Sequence, residues 1–170
     1  ARITEYGRPF NRYMPTRALL QMYSAADARY EGSFKESWMS CTGTGGTSRP
    51  GDTAIIATRT SYAGIPGKTS VKVYNINAIY NANGSVKNML VYPSLTKHDD
   101  PTRLTYNEAQ SARDVFVIRF AELYLIAAEA KMNLGDLDSA AYYINIIRTR
   151  AAKPGQTAAM QITPVQVTLD

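Results

Sequence analysis

The sequence predicts a helix-dominated α+β fold, with a loop-rich, short-stranded N-terminal half followed by a tetratricopeptide-like helical hairpin. Three observations predict it. Over residues 114–150 apolar side chains recur at helical spacing. Upstream, short alternating runs and an Asn-Gly pair read as strands and a turn. Between them lie stretches rich in Gly, Pro, Thr and Ser that read as loops. The 170 residues are one domain's length, and a 45% apolar content suits a packed core. We divide the chain into a loop-rich part (1–113), the hairpin (114–152) and a truncated linker (153–170).

Residues 1–13 are basic and aromatic and are broken by Gly7 and Pro9. Thr16 is placed to cap a helix over 17–28, with Leu19, Leu20, Met22, Tyr23 and Ala26 at helical spacing. Residues 33–41 alternate, putting Phe34, Glu36 and Trp38 on one face of a strand. A loop follows over 42–52 and a second strand over 53–58. Residues 71–80 and 85–92 read as a hairpin closed through Asn83-Gly84, the dipeptide that a type I′ turn prefers. Residues 93–113 are polar and loop-like.

The helical hairpin is written most plainly. Phe116, Phe120, Leu123, Ala127, Ala130 and Leu134 form one stripe of a first helix. Gly135 suits the left-handed position that ends it, and Asp136 can cap the next helix. Leu137, Ala140, Ala141, Ile144 and Ile147 are the expected buried stripe there, with Arg148 and Arg150 complementing the helix dipole. Pro154-Gly155 closes the pair. The spacing is that of a tetratricopeptide unit, which cannot bury its own faces alone.

Composition excludes several functions. The surplus of nineteen Lys+Arg over fourteen Asp+Glu is spread along the chain, without the stripe that nucleic-acid binding needs. No apolar run is long enough for a membrane-spanning helix. A single cysteine, Cys41, and a single histidine, His98, leave no multi-ligand metal centre, and no cofactor is expected. The run from Gly64 to Thr69 lacks the first glycine of a phosphate loop, Tyr62 standing in its place. Gly43, Gly45 and Gly46 lack the third glycine of a dinucleotide fingerprint. His98-Asp99-Asp100 reads as a solvated acidic turn, and the glycosylation sequon Asn83-Gly84-Ser85 as the turn it makes. Glu122 and Glu129 share a helix face, but Arg119 three residues before Glu122 favours an ion pair over acid–base work. No base–nucleophile pair supports a hydrolase.

Twelve tyrosines are the compositional oddity. Trp38, Tyr62, Tyr74, Tyr80 and Tyr92 are the candidate ligand-binding platforms, because a sugar presents a C–H face to a ring. Asn75, Asn77, Asn81, Asn83 and Asn88 are candidate partners for its hydroxyls. Strand tyrosines packing on the core with wet hydroxyls are the competing reading. The chain opens at Ala1 without an export segment and ends on an apolar–polar alternation, and we read it as a piece of a longer protein.

The run Phe116-Val117-Ile118-Arg119-Phe120-Ala121-Glu122-Leu123-Tyr124-Leu125-Ile126-Ala127-Ala128-Glu129-Ala130 resembles the signature helix of the SusD/RagB family. Gly135-Asp136, Ile144-Asn145, Arg148, Arg150 and Ala151 match the pattern that follows that helix. Pro15-Thr16, Asp27-Ala28-Arg29, Phe34, Trp38 and the stretch 92–97 are similar too. The resemblance implies a fragment of a SusD-like fold from a lipid-anchored, surface-exposed outer-membrane protein of Bacteroidetes-type bacteria. It implies non-catalytic capture of an oligosaccharide, or of a peptide, and partnership with a TonB-dependent transporter. It implies structural roles for Arg119, Glu122, Glu129 and Gly135, and carries no ligand contact over by motif. A protein-interaction scaffold built on the hairpin is the alternative.

Overall fold

The computed structural model describes residues 13–40, 49–66, 70–97, 99–105 and 107–167. The chain forms two compact units: one takes in Tyr30–Arg113 and the chain up to Tyr23, the other Ser24–Arg29 and the chain from Asp114. The helix content and the paired C-terminal helices give the expected α+β class.

In the first unit, Thr16 caps α1 (Arg17–Met22) by accepting the Leu19 N–H on its side chain. The helix stops well short of residue 28. Residues 24–29 instead pair with the end of the second unit's long helix, and those backbone bonds compete with helix continuation. Next come α2 (Arg29–Ser33), β1 (Phe34–Lys35), β2 (Ser37–Met39), β3 (Thr53–Ala57), β4 (Lys72–Tyr74), α3 (Ile76–Ile79) and β5 (Ser94–Leu95). Strands β2, β3 and β4 form one sheet, antiparallel then parallel, with a bulge at Trp38/Met39. β1 pairs antiparallel with β5, so the segment expected as pure loop contributes a strand.

The expected hairpin arm over 71–80 is half helix. Ile76, Ile79 and Tyr80 are buried while Asn77 and Ala78 are exposed, a helical rather than an alternating period. The turn also differs from the type I′ expectation. No described non-glycine residue has positive φ; Gly84 alone takes the left-handed position, at +85°. Its N–H donates to Asn81 O and the Asn81 N–H to Ser85 O, giving a type I turn closed by a glycine bulge. The core of this unit gathers Leu20, Tyr30, Phe34, Ala57, Ile76, Ile79, Tyr80 and Tyr92.

In the second unit, α4 (Phe120–Asn133) packs on α5 (Leu137–Ala151), followed by α6 (Thr157–Met160) and a 3-10 turn at Pro164–Gln166. Gly135 has φ +78°, and the bonds Gly135 N–H to Met132 O and Asp136 N–H to Lys131 O complete a Schellman end. Asp136 then caps α5 by accepting the Ser139 N–H.

Two expectations need correction here. The first helix starts at Phe120, because Val115, Val117 and Ile118 are β-branched and Arg119 is extended (φ −120°, ψ 142°). Phe116 therefore lies outside it. The predicted stripe is also largely open: Phe120, Leu123 and Leu134 are 69%, 50% and 78% exposed, and Ala128 is the buried residue of α4. Small residues make the close approach, with Ala140 and Ala141 of α5 also buried.

The supposed linker belongs to this unit as well. Met160 is buried with Ala26 and Ala151, and Val167 with Ala140 and Ala141. The Asn145 carboxamide donates to Ile162 O and accepts the Ile162 N–H, at 2.9 and 2.8 Å, while Arg148 Nε donates to Met160 O. Residues 24–29 complete it: Ala28 N–H donates to Ala151 O and Lys153 N–H to Ala26 O. Buried Asp27 is clasped by Arg29, whose hydrogen bonds hold its carboxyl below the usual range.

Candidate functional site

The five aromatic candidates fall into three groups. Tyr80 and Tyr92 are buried, so they are corrected from platforms to core residues. Their hydroxyls find backbone partners, donating to Pro15 O and to Tyr13 O (3.2 Å) respectively. Burial pushes the Tyr80 phenol up to about 12 and moves Tyr92 in the same direction. Trp38 and Tyr74 are half-buried and pack against the same core. Tyr62 is exposed, on the loop joining β3 to β4.

That loop is held at both ends. The Tyr62 N–H donates to Asn75 Oδ1 at 2.9 Å, immediately before α3. Thr58 Oγ1 accepts the Thr60 N–H and lies 3.1 Å from Thr60 Oγ1. Gly64, at φ +99°, lies 3.6 Å from Val73 where a Cβ would stand. The loop thus presents its ring from a braced backbone, which lowers the ordering cost of binding. Several asparagines expected to meet a ligand are partly engaged already: Asn83 Oδ1 accepts from Ser85 N–H and Oγ, Asn88 Oδ1 from Leu90 N–H, and Asn81 Nδ2 donates to Ser85 Oγ.

A neighbouring network was not anticipated from the sequence. Glu36 Oε1 accepts the Tyr30 hydroxyl at 2.5 Å and the Arg59 N–H at 3.0 Å. The Arg59 guanidinium lies 3.7 Å over the Tyr30 ring and donates to Tyr23 O (2.6 Å) and Leu20 O (3.2 Å). These are orphan carbonyls at the end of α1. Burial and bonded Glu36 push the Tyr30 phenol upward. The network links α1, α2 and β3, directly before the Tyr62 loop.

The hairpin's charged residues do not pair as expected. Arg119, Glu122 and Glu129 are exposed, and among the described residues no ion pair joins them. Arg119 stands at the helix entrance in extended conformation, off the i, i+3 face; only its carbonyl meets Glu122, accepting that N–H at 2.9 Å. Lys131 and Asp136 form the ion pair of this unit's turn, at 3.0 Å.

The acidic turn is also not solvated at Asp100, which is 4% exposed. Its carboxylate accepts Thr102 N–H and Oγ1 and Ser111 Oγ, at 3.0, 2.6 and 2.6 Å. His98, Cys41, residues 43–46 and residues 67–69 lie outside the described residues. Among the described residues no His, Cys, Asp and Glu side chains cluster as a metal site.

The SusD family model matches residues 4–170. The chain belongs to the SusD family. No curated protein and no solved structure gives a significant match. SusD family members are nutrient-binding proteins of the outer membrane, surface-associated and generally non-catalytic. Among the described residues no helix is long and apolar enough to cross a membrane.

The family signature therefore maps onto α4, the Schellman turn and α5, and its Asn145 and Arg148 bind the following segment down. Two caged carboxylates of this SusD family chain make a prediction. Ser111 and Thr102 hold the Asp100 carboxyl at about 2, and Lys131 and Ser139 hold Asp136 at about 2. A carboxyl depressed in the folded state stabilises it fully above the unfolded value, near 4, and loses that contribution as pH falls toward 2. The Tm should fall across pH 4 to 2, and more shallowly in Asp100→Asn than in the parent chain. A Tm that stays level over that window would contradict the cages.

Proposed function

We propose that this chain is a non-catalytic glycan-capture module at the outer-membrane surface that passes its ligand to a TonB-dependent transporter. The family match over residues 4–170 carries the reading. The braced Tyr62 loop supports it, with half-buried Trp38 and Tyr74 on the strands that flank the loop. Ring faces pack on sugar C–H groups, while each sugar hydroxyl bond largely replaces one to water. Binding is then weak and release fast, as delivery to a transporter requires. The hairpin serves as structural support, and a lipid anchor on the full-length protein supplies the membrane association.

The test is a titration of the chain with an oligosaccharide panel, read on Trp38, the sole tryptophan. At least one oligosaccharide should change its fluorescence saturably. Tyr62→Ala should weaken that response about tenfold, the upper end of one ring contact. A silent panel, or equal affinity in Tyr62→Ala, would count against this site.

A second reading, a protein-interaction scaffold, is favoured by one observation: the open apolar face of Phe120, Leu123, Leu125 and Ile126 on α4. It predicts that a pull-down recovers a transporter or peptide partner through α4, and that Leu123→Lys abolishes the recovery.

A further inference from the structure

The loop after β5 carries an arginine that the fold leaves under-bonded. Arg103 is 14% exposed at its side chain, and its Nε is buried with no hydrogen-bond partner. Its nearest counter-charge, Asp100 Oδ2, is 4.0 Å away, beyond hydrogen-bonding reach. Asp100 is also saturated, since the donors of Thr102 and Ser111 already fill both its oxygens. Asp99 answers other cations: Lys35 Nζ stands 3.7 Å from its carboxylate, and Arg113 Nη1 donates to its carbonyl at 2.5 Å. Three cations thus meet two carboxylates, leaving one positive charge in excess where water is largely excluded. A guanidinium offers five donors in a planar fork, and a buried donor left unmade is costly. The group that resolves both deficits is a planar or tetrahedral oxyanion.

We infer that Arg103, with Lys35 and Arg113 near it, receives an oxyanion group of a ligand, either a sugar carboxylate or a sulfate. Asp100 then holds the loop in shape without competing for the guanidinium. The site is separate in sequence and position from the Tyr62 loop, so it stands or falls independently of neutral-glycan capture there.

The experiment is NMR of the isotope-labelled chain, following the Arg103 Nε–H resonance, whose buried proton exchanges slowly. The probes are sodium sulfate, trigalacturonic acid and, as a neutral control, maltotriose, all at constant ionic strength so that screening does not vary. A saturable shift with sulfate or trigalacturonate, and none with maltotriose, is expected. Sulfate alone assigns a free or ester-borne sulfate, and trigalacturonate alone a sugar carboxylate. Arg103→Lys, which keeps the charge and loses the fork, should bind about tenfold more weakly. Arg103→Gln should remove the shifts that neighbouring residues show. No shift with either anion, equal shifts with maltotriose, or unchanged affinity in Arg103→Lys overturns the inference, and the last outcome remains readable if Arg103→Gln fails to fold.

Discussion

Phe34→Ala is expected to destabilise the first unit by about 4 kcal/mol, the range for deleting a buried phenyl ring. Phe34 is 6% exposed, stacks on Tyr30 with centroids 5.1 Å apart, and meets Tyr23 edge-on at 5.9 Å. Removing the ring loses its burial and leaves a cavity that the short strands β1 and β5 cannot close. Denaturant unfolding monitored at Trp38 measures the change. Phe34→Leu should retain more than half of the lost stability, because volume is nearly conserved. A loss below about 1 kcal/mol for the alanine variant would mean that this core is not packed as described.

Arg59→Ala is the second large effect, at about 3 kcal/mol. The substitution strips donors from the carbonyls of Leu20 and Tyr23 and the cation from the Tyr30 face. Arg59→Lys restores charge but not the fork that reaches two carbonyls, so it should recover about half. The same unfolding assay reads both variants. Equal stability of Arg59→Ala and parent would show that the end of α1 is satisfied by water instead.

The hairpin was legible because its determinants are local. A 3.6-residue period, a glycine at the left-handed position and an aspartate cap sit within one stretch of chain, and all three formed as read. What failed depends on partners distant in sequence. Residues 24–29 left the helix for backbone bonds to Ala151 and Lys153, and nothing near Ser24 announces those partners. Tyr80 and Tyr92 carry the same chemistry as Tyr62; only the carbonyls of Pro15 and Tyr13 make them core residues. The Ile76–Ile79–Tyr80 spacing did signal a helical turn, but β-branched neighbours outweighed it in a pattern read for strands. Burial of the α4 stripe was inferred from periodicity, which specifies a face but not what covers it. For the candidate site, the sequence supplied the ring types, and the fold selected Tyr62 by leaving it exposed.

The central claim is that ligand is captured on the loop side of the first unit while α4 and α5 act as support. Backbone amide NMR of the full chain, titrated with the oligosaccharide that most changes Trp38 fluorescence, tests it most directly. The account predicts saturable shifts concentrated around Thr60, Tyr62 and Asn75, with α4 and α5 unmoved. Shifts confined to Phe120–Asn133 and Leu137–Ala151 would contradict it.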